Sequence, residues 1–306
     1  MLDINIPDYI VNYKGQIAAL LTALCWTFTV LFFESAGKKI GSLAVNLIRL
    51  IFAFFFLSLY CLLTRGLLIP TDASLRTWFW LAVSGLIGFN LGDLCLFESF
   101  VRIGARVSML IMSLVPIMTT ITGWLILGEI MSIRQFCGMI ITISGVAIVI
   151  FQRADRKRRP TMSYSSSGLF LAFLGAIGQA GGLVLSKLGM GNYNPVAATQ
   201  IRVLSGMAGF SLLYIFWRKW HYVSRGLKNR KALTRIAAGA FFGPFLGVSL
   251  SLYAVQHTIT GVAATIMALV PVIILVPAVI IFREKLTIKD VLGAFLAVTG
   301  TSLLFF

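Results

Sequence analysis

Along this chain, apolar stretches alternate with short polar or turn-forming clusters. Ten such stretches occur: 15–33, 43–63, 78–97, 107–127, 135–151, 168–187, 196–217, 232–254, 262–282 and 287–306. Each is close to the length of about 20 residues at which an α-helix crosses the hydrocarbon of a bilayer. In lipid the backbone must satisfy its own hydrogen bonds, so such a segment predicts a helix. The alternating strands of about ten residues that a transmembrane barrel requires are absent. The pattern therefore predicts an all-α, polytopic membrane protein with ten transmembrane helices. The two longest links, 152–167 and 218–231, are too short to fold alone.

Composition agrees. Of 306 residues, 58% are apolar and 12% charged, and the mean hydropathy is +0.94. Ten spans take about 200 positions, which leaves no room for a soluble catalytic or nucleotide-hydrolysing domain, and no cofactor is expected. The net charge of +16 could point to nucleic acid, but the location of the basic residues argues otherwise. The side that holds links 1–2, 3–4, 5–6, 7–8 and 9–10, with the adjoining span ends at Arg235 and Lys289, carries 19 of the 26 Lys and Arg, and the side holding both termini carries 5. Arg49 and Arg202, inside spans, complete the set. Such an asymmetry matches an anionic cytoplasmic leaflet, so both termini are expected outside and the protein in the cell (inner) membrane. Cys25, Cys61, Cys95 and Cys137 lie in separate apolar runs without metal-type spacing and read as small core residues. Asp3 and Asp8 precede the first run with a single Lys14, and no small-residue cleavage pattern follows, so that run is expected to stay as a helix.

The two halves resemble each other. Ile111-Met112-Ser113-Leu114-Val115-Pro116 reappears 155 residues later as Ile266-Met267-Ala268-Leu269-Val270-Pro271. At the same offset, Glu129, Ile133, Gly138, Gly145 and Phe151 meet Glu284, Ile288, Gly293, Gly300 and Phe306. At an offset of 153, Gly15 meets Gly168 and Arg49 meets Arg202. The chain divides into an N-terminal segment 1–14, a first five-helix repeat 15–151, a basic linker 152–167 and a second repeat 168–306. Five crossings is an odd number, so the second copy enters the membrane the other way up. Inverted repeats are a signature of secondary transporters with a site near the midplane. With Met112 to Pro116 and its copy, Gly128-Glu129 followed by Gly138 and Gly145, and Leu47-Ile48-Arg49 in the second run, the sequence is similar to the drug/metabolite transporter superfamily. Within it, the chain resembles the ten-helix EamA-type carriers over nearly its whole length. The resemblance implies export of amino acids or other metabolites, or sugar-type carriage. It departs at Arg283, where the family's glycine precedes Glu284.

Ionisable groups at lipid depth are costly unless paired or hydrated and are functional candidates. Asp93 lies about 8 Å from the middle of its helix and Arg49 about 6 Å from the middle of its own, toward the same face, at 1.5 Å per residue. The two can meet, either as a structural salt bridge or as a switchable pair in which Asp93 exchanges Arg49 for substrate or proton. Arg202, by the inverted symmetry, belongs at the mirror depth, free to meet a substrate carboxylate or to bind carbonyls near a helix end. Asn90 and Asp93, three apart, are expected on one helix face. Gly85, Gly88, Gly92, Cys95 and Ser99 form a small-residue stripe on another, suited to close helix contact. Trp26 and Gln179 occupy equivalent positions of the two copies, and with Asn90 they are expected to line a midplane pocket for a small zwitterion or amphipathic metabolite. Pro116 and Pro271, each near the middle of a span, predict kinks that expose the carbonyls of Met112 and Met267 and serve as gating elements. Glu129 and Glu284 are placed to cap the helices that follow them. His257 and Lys187, near helix ends, are expected to reach the interface.

No His-Glu-x-x-His, no Gly-x-Ser-x-Gly, no Gly-x-x-x-x-Gly-Lys and no second lipid-depth Asp occurs, so neither an intramembrane enzyme nor direct ATP drive is expected. The reading is a secondary transporter that moves a small organic metabolite, an amino acid or related compound, across the membrane by alternating access as an exporter, with proton coupling through Asp93. It works in the lipid bilayer as monomer or homodimer, without nucleic acid. A lipid-translocating, flippase-like protein is the alternative.

Overall fold

The computed structural model describes residues 12–155, 165–218, 220–280 and 287–305. Asp3, Asp8, the 156–164 part of the basic linker, Arg283 and Glu284 lie outside them. Among the described residues there is no strand, and nine helices are long and apolar enough to cross a membrane. They are span 1 (Lys14–Phe33), span 2 (Ala44–Arg65), span 3 (Leu75–Ser99), span 4 (Val107–Leu127), span 5 (Ile133–Phe151), span 6 (Ser166–Met190), span 7 (Pro195–Phe216), span 8 (Arg230–His257) and span 9 (Thr260–Pro277). Span 10, Ile288–Ser302, is a shorter helix of 15 residues. Large apolar side chains such as Phe55, Leu63 and Phe295 point outward, as expected for a bundle whose solvent is hydrocarbon. The chain is an integral membrane protein.

Turn chemistry sets the boundaries. Span 3 begins where Ser74 accepts from the Thr77 N–H, span 7 where Asn194 accepts from Val196 and Ala197, and span 8 where Asn229 accepts from Ala232. Ser132 and Gln135 cap span 5 reciprocally, and Thr287 and Asp290 form the capping box of span 10. Helical bonding is continuous over Asp93–Met112, yet the Ser99 hydroxyl donates to that of Ser108 at 2.8 Å. Nine residues of straight helix would separate them by about 13 Å, so the chain doubles back there between spans 3 and 4.

The two prolines do something other than kink. Helix ends at Met112, Ser113 and Leu114 form a turn, and a new helix starts at Val115 with Pro116 in its first turn. The second copy repeats this at Met267 and Val270–Ile273, with Pro271, and breaks again at Ile274. Proline lacks the N–H that a helix interior needs but fits the first turn, where no partner is required.

Spans 3 and 8 each contain a seven-residue π-helical segment, Leu86–Gly92 and Phe241–Gly247. The two lie 155 residues apart, the spacing of the sequence repeat, so the internal symmetry extends to hydrogen-bond register. Glycines then bring neighbours close. On spans 3 and 6 a Cβ at Gly178 would lie 2.7 Å from Gly92 Cα, and one at Gly182 would lie 2.8 Å from Gly88 Cα. Ser84 and Ser186 hydrogen-bond at 2.8 Å in the same antiparallel register. Spans 1 and 8 repeat the arrangement, with Trp26 against Gly247 and Thr29 against Gly243.

The buried apolar residues divide into two clusters rather than one. The first draws on spans 1, 3 and 5 to 10, among them Ala23, Leu81, Val146, Ile201, Leu252 and Ile266. The second gathers span 2 and the basic-facing parts of spans 1, 7 and 8, among them Ala36, Leu50, Val203 and Val248. The seam between them carries Arg202 on span 7, between Ile201 and Val203, and buried Ser249 and Ser251 on span 8.

Candidate functional site

The polar centre forms where the span 3 π segment meets spans 2, 6 and 7. The π turn pairs the Asp93 N–H with the Gly88 carbonyl, five residues back. Such segments are frequent at functional sites because they re-aim the residues beside them. Asp93 is 8% exposed, and both its oxygens are engaged. Arg49 on span 2 donates Nη2 to Oδ2 as an ion pair, and Gln179 on span 6 donates Nε2 to Oδ1 at 2.8 Å. The same Gln179 nitrogen lies 3.3 Å from the Gly88 carbonyl oxygen. Gly92 makes this reach possible, since a Cβ there would lie 3.0 Å from Gln179 Nε2. Depth arithmetic foresees Arg49 meeting Asp93. The third partner, Gln179, depends on which helix packs where.

Arg202 departs from its mirror-depth expectation. Its Nη2 lies 3.1 Å from the position of a Cβ on Gly88, and its guanidinium sits 5.2 Å from the Phe89 ring centroid. It therefore joins the Asp93 group instead of standing apart from it. The inverted symmetry relates Arg202 to Arg49, and two residues related by a midplane axis can both approach the centre.

Asn90 turns elsewhere. Its Nδ2 donates to the Gly206 carbonyl at 3.2 Å and its amide packs on Gly209, both on span 7, while Oδ1 is buried without a partner. The wider π turn changes the angular offset of residues three apart, so Asn90 and Asp93 do not share partners. The described contacts of Trp26, Asn90 and Gln179 go to span 8, span 7 and span 3 respectively, rather than to one common pocket. Trp26 and Gln179 nevertheless remain equivalent, because each packs on the last glycine of a π segment, Gly247 or Gly92.

A second polar group, missed in the sequence, closes the termini face. Gly128 ends span 4 in the left-handed region at φ 68°, which glycine adopts without strain, and Glu129 follows it. Instead of capping span 5, Glu129 reaches across to the second repeat. Its Oε1 pairs with Lys187 Nζ at 2.5 Å, and its Oε2 accepts from the Thr260 N–H at 2.8 Å and the Thr260 hydroxyl at 2.5 Å. Lys187 also donates to the Thr258 carbonyl at 2.7 Å, so it turns inward rather than to the interface. Thr260 opens span 9, and a carboxylate at a helix N-terminus is favoured there. Glu129 lies among turn residues that Ser132 and Gln135 already cap, and that redundancy was the available signal.

Nearby, the Tyr193 hydroxyl donates to Asp72 Oδ1 at 2.8 Å and accepts from Arg65 Nη1 at 3.3 Å, and Arg65 also pairs with Asp72. Desolvation works against the Asp72 charge, but the Tyr193 hydrogen bond and Arg65 outweigh it and hold the carboxyl below its ordinary range. This triad ties link 2–3 to link 6–7. His257 has its Nδ1 2.9 Å from the Tyr253 carbonyl oxygen. Cys61 and Cys95 are buried and Cys25 half-buried, but Cys137 is exposed, contrary to a core role.

The EamA-like transporter family matches residues 13–151 and again 166–306. The chain belongs to the EamA-like transporter family. This EamA-like chain is 27% identical over 163 residues to an uncharacterized transporter of Archaeoglobus fulgidus, covering 53% of this chain and 54% of that one. It thus spans about half the length of the curated relative it matches. A solved crystal structure shares the fold of the EamA-like chain with a TM-score of 0.73 at 15% identity, over 95% of this chain and 96% of that one. The bundle of apolar spans agrees with membership of a transporter family.

Proposed function

We propose that this EamA-like protein is a secondary transporter that carries a small organic metabolite, an amino acid or related compound, outward across the cell inner membrane by alternating access. The observation that carries the reading is the buried polar group of Arg49, Asp93, Gln179 and Arg202, to which each of the two repeats contributes two residues. An interface between inverted repeats is where a rocking motion exposes the same groups first to one face and then to the other. Asp93 is the coupling residue: it holds Arg49 in one state and exchanges it for cargo or a proton in the other. The single chain encloses this group, so a monomer suffices.

The Glu129–Lys187–Thr260 contact ties the first repeat to the second on the termini face and acts as its gate. Replacing Glu129 by glutamine removes a charged hydrogen-bonding partner of about 1.5–3 kcal/mol, equivalent to roughly a tenfold or larger shift toward the opened face. With the four native cysteines replaced and Thr258→Cys as reporter, E129Q is expected to raise the rate of labelling by a membrane-impermeant maleimide about tenfold. Equal rates in both backgrounds would remove Glu129 from gating.

The transport reading is tested by loading proteoliposomes with a fractionated metabolite extract and following release by mass spectrometry. Release of a defined small compound, accelerated by an imposed proton gradient and absent from empty liposomes, is expected. Movement of fluorescent lipid between leaflets with no metabolite release would replace this reading with lipid translocation.

A further inference from the structure

Arg202 is a buried cation that the described residues leave unbalanced. It is 6% exposed, its Nε has no hydrogen-bond partner, and no described carboxylate pairs with its guanidinium. Asp93 lies in the same group, but its single charge is ion-paired with Arg49 and also accepts from Gln179. Among the described residues the seam thus holds two guanidinium groups and one carboxylate. The deficit is one negative charge. An unpaired charge at this depth costs several kcal/mol, and a guanidinium fork matches a carboxylate in shape and donor spacing.

We infer that Arg202 is the docking point for a single carboxylate on the cargo, and that the cargo is an organic monoanion. This rests on the transport reading and narrows its cargo, from amino acids and related compounds, to those related compounds that carry a carboxylate and no ammonium group. A zwitterion leaves the excess positive charge in place and brings an ammonium toward Arg49 while both Asp93 oxygens are occupied. An organic cation worsens the same imbalance. Phe89 lies against the guanidinium and offers an apolar face beside it. The carboxylate satisfies the arginine and the rest of the molecule meets apolar surface.

The test uses the purified full chain in detergent and a set of probes matched in body: 3-phenylpropionate, 3-phenylpropionamide, phenethylamine and phenylalanine, with butyrate as a smaller carboxylate. Thermal-shift titration is expected to show stabilisation by the two monocarboxylates, with apparent affinity for phenylpropionate about tenfold or more above that for its amide. Arg202→Gln is expected to lower carboxylate affinity at least tenfold, and Arg202→Lys to keep part of it. Stabilisation by amide or amine equal to that by carboxylate overturns the inference, as does an unchanged affinity in Arg202→Gln or no stabilisation by either carboxylate. Counterflow in proteoliposomes separates the two readings. Carboxylate binding that depends on Arg202 without counterflow supports this site and defeats transport, whereas flux of a compound lacking any carboxylate that survives Arg202→Gln defeats the site and leaves transport standing.

Discussion

Asp93→Asn is expected to abolish gradient-coupled flux and to lower the stability of the purified protein by about 3–5 kcal/mol, the cost of removing one partner from a buried ion pair. The asparagine keeps an oxygen for Gln179, which donates to Oδ1 at 2.8 Å. It turns an N–H₂ toward Arg49 where the Oδ2 acceptor had been, so donor faces donor, and two guanidinium groups share the seam with no anion. Adding Arg49→Gln removes one of those charges and restores a donor–acceptor pair. The double variant is expected to recover most of the lost stability, because replacing both members of a buried pair is close to neutral, while transport stays absent. Melting in detergent and flux in proteoliposomes check the two parts separately. A double variant as unstable as the single one would place the cost outside this pair, and coupled flux at the normal rate in Asp93→Asn would remove Asp93 from the mechanism.

Gly178→Ala is expected to destabilise the protein by about 1–3 kcal/mol and to cut flux about tenfold or more, whereas Gly181→Ala, one turn away, leaves both nearly unchanged. The methyl added at 178 would lie 2.7 Å from Gly92 Cα, 2.9 Å from Gly92 N and 3.1 Å from the Ile87 carbonyl oxygen. All are backbone atoms, so spans 3 and 6 must separate. Gln179 is the next residue and loses its reach to Asp93. At Gly181 the nearest atom is the Ile87 methyl at 3.7 Å, an ordinary contact, and the helix gains about 0.5–1 kcal/mol from alanine. Equal behaviour of the two variants in thermal melting and counterflow would show that close contact of these helices does not set the site.

The limits of sequence reasoning fall at particular residues. Arg49 and Asp93 could be paired in advance because depth along antiparallel helices follows from rise per residue. Asn90 could not be placed, because a π turn alters azimuth without altering composition, and Arg202 could not, because its neighbours depend on which helix packs against span 7. The π segments did leave a trace, the Gly88/Gly92 and Gly243/Gly247 pairs at the repeat offset, but glycine spacing alone reads equally well as tight packing. Pro116 marked a discontinuity correctly in position and wrongly in kind. Glu129 sat beside a turn that Ser132 and Gln135 already cap, which hinted at a longer reach, but its partners Lys187 and Thr260 follow only from packing.

From its residues alone, this chain determines its helices, their number to within one short span, its duplication and its place in the membrane. These follow from length, hydropathy and parity, which are local or additive quantities. Which helices touch, which face each presents, and hence that Gln179 and Arg202 join Asp93 while Glu129 bridges the repeats, was decided only by tertiary packing. Interhelical contact in lipid depends on where glycines let backbones meet, and that is a property of two surfaces together.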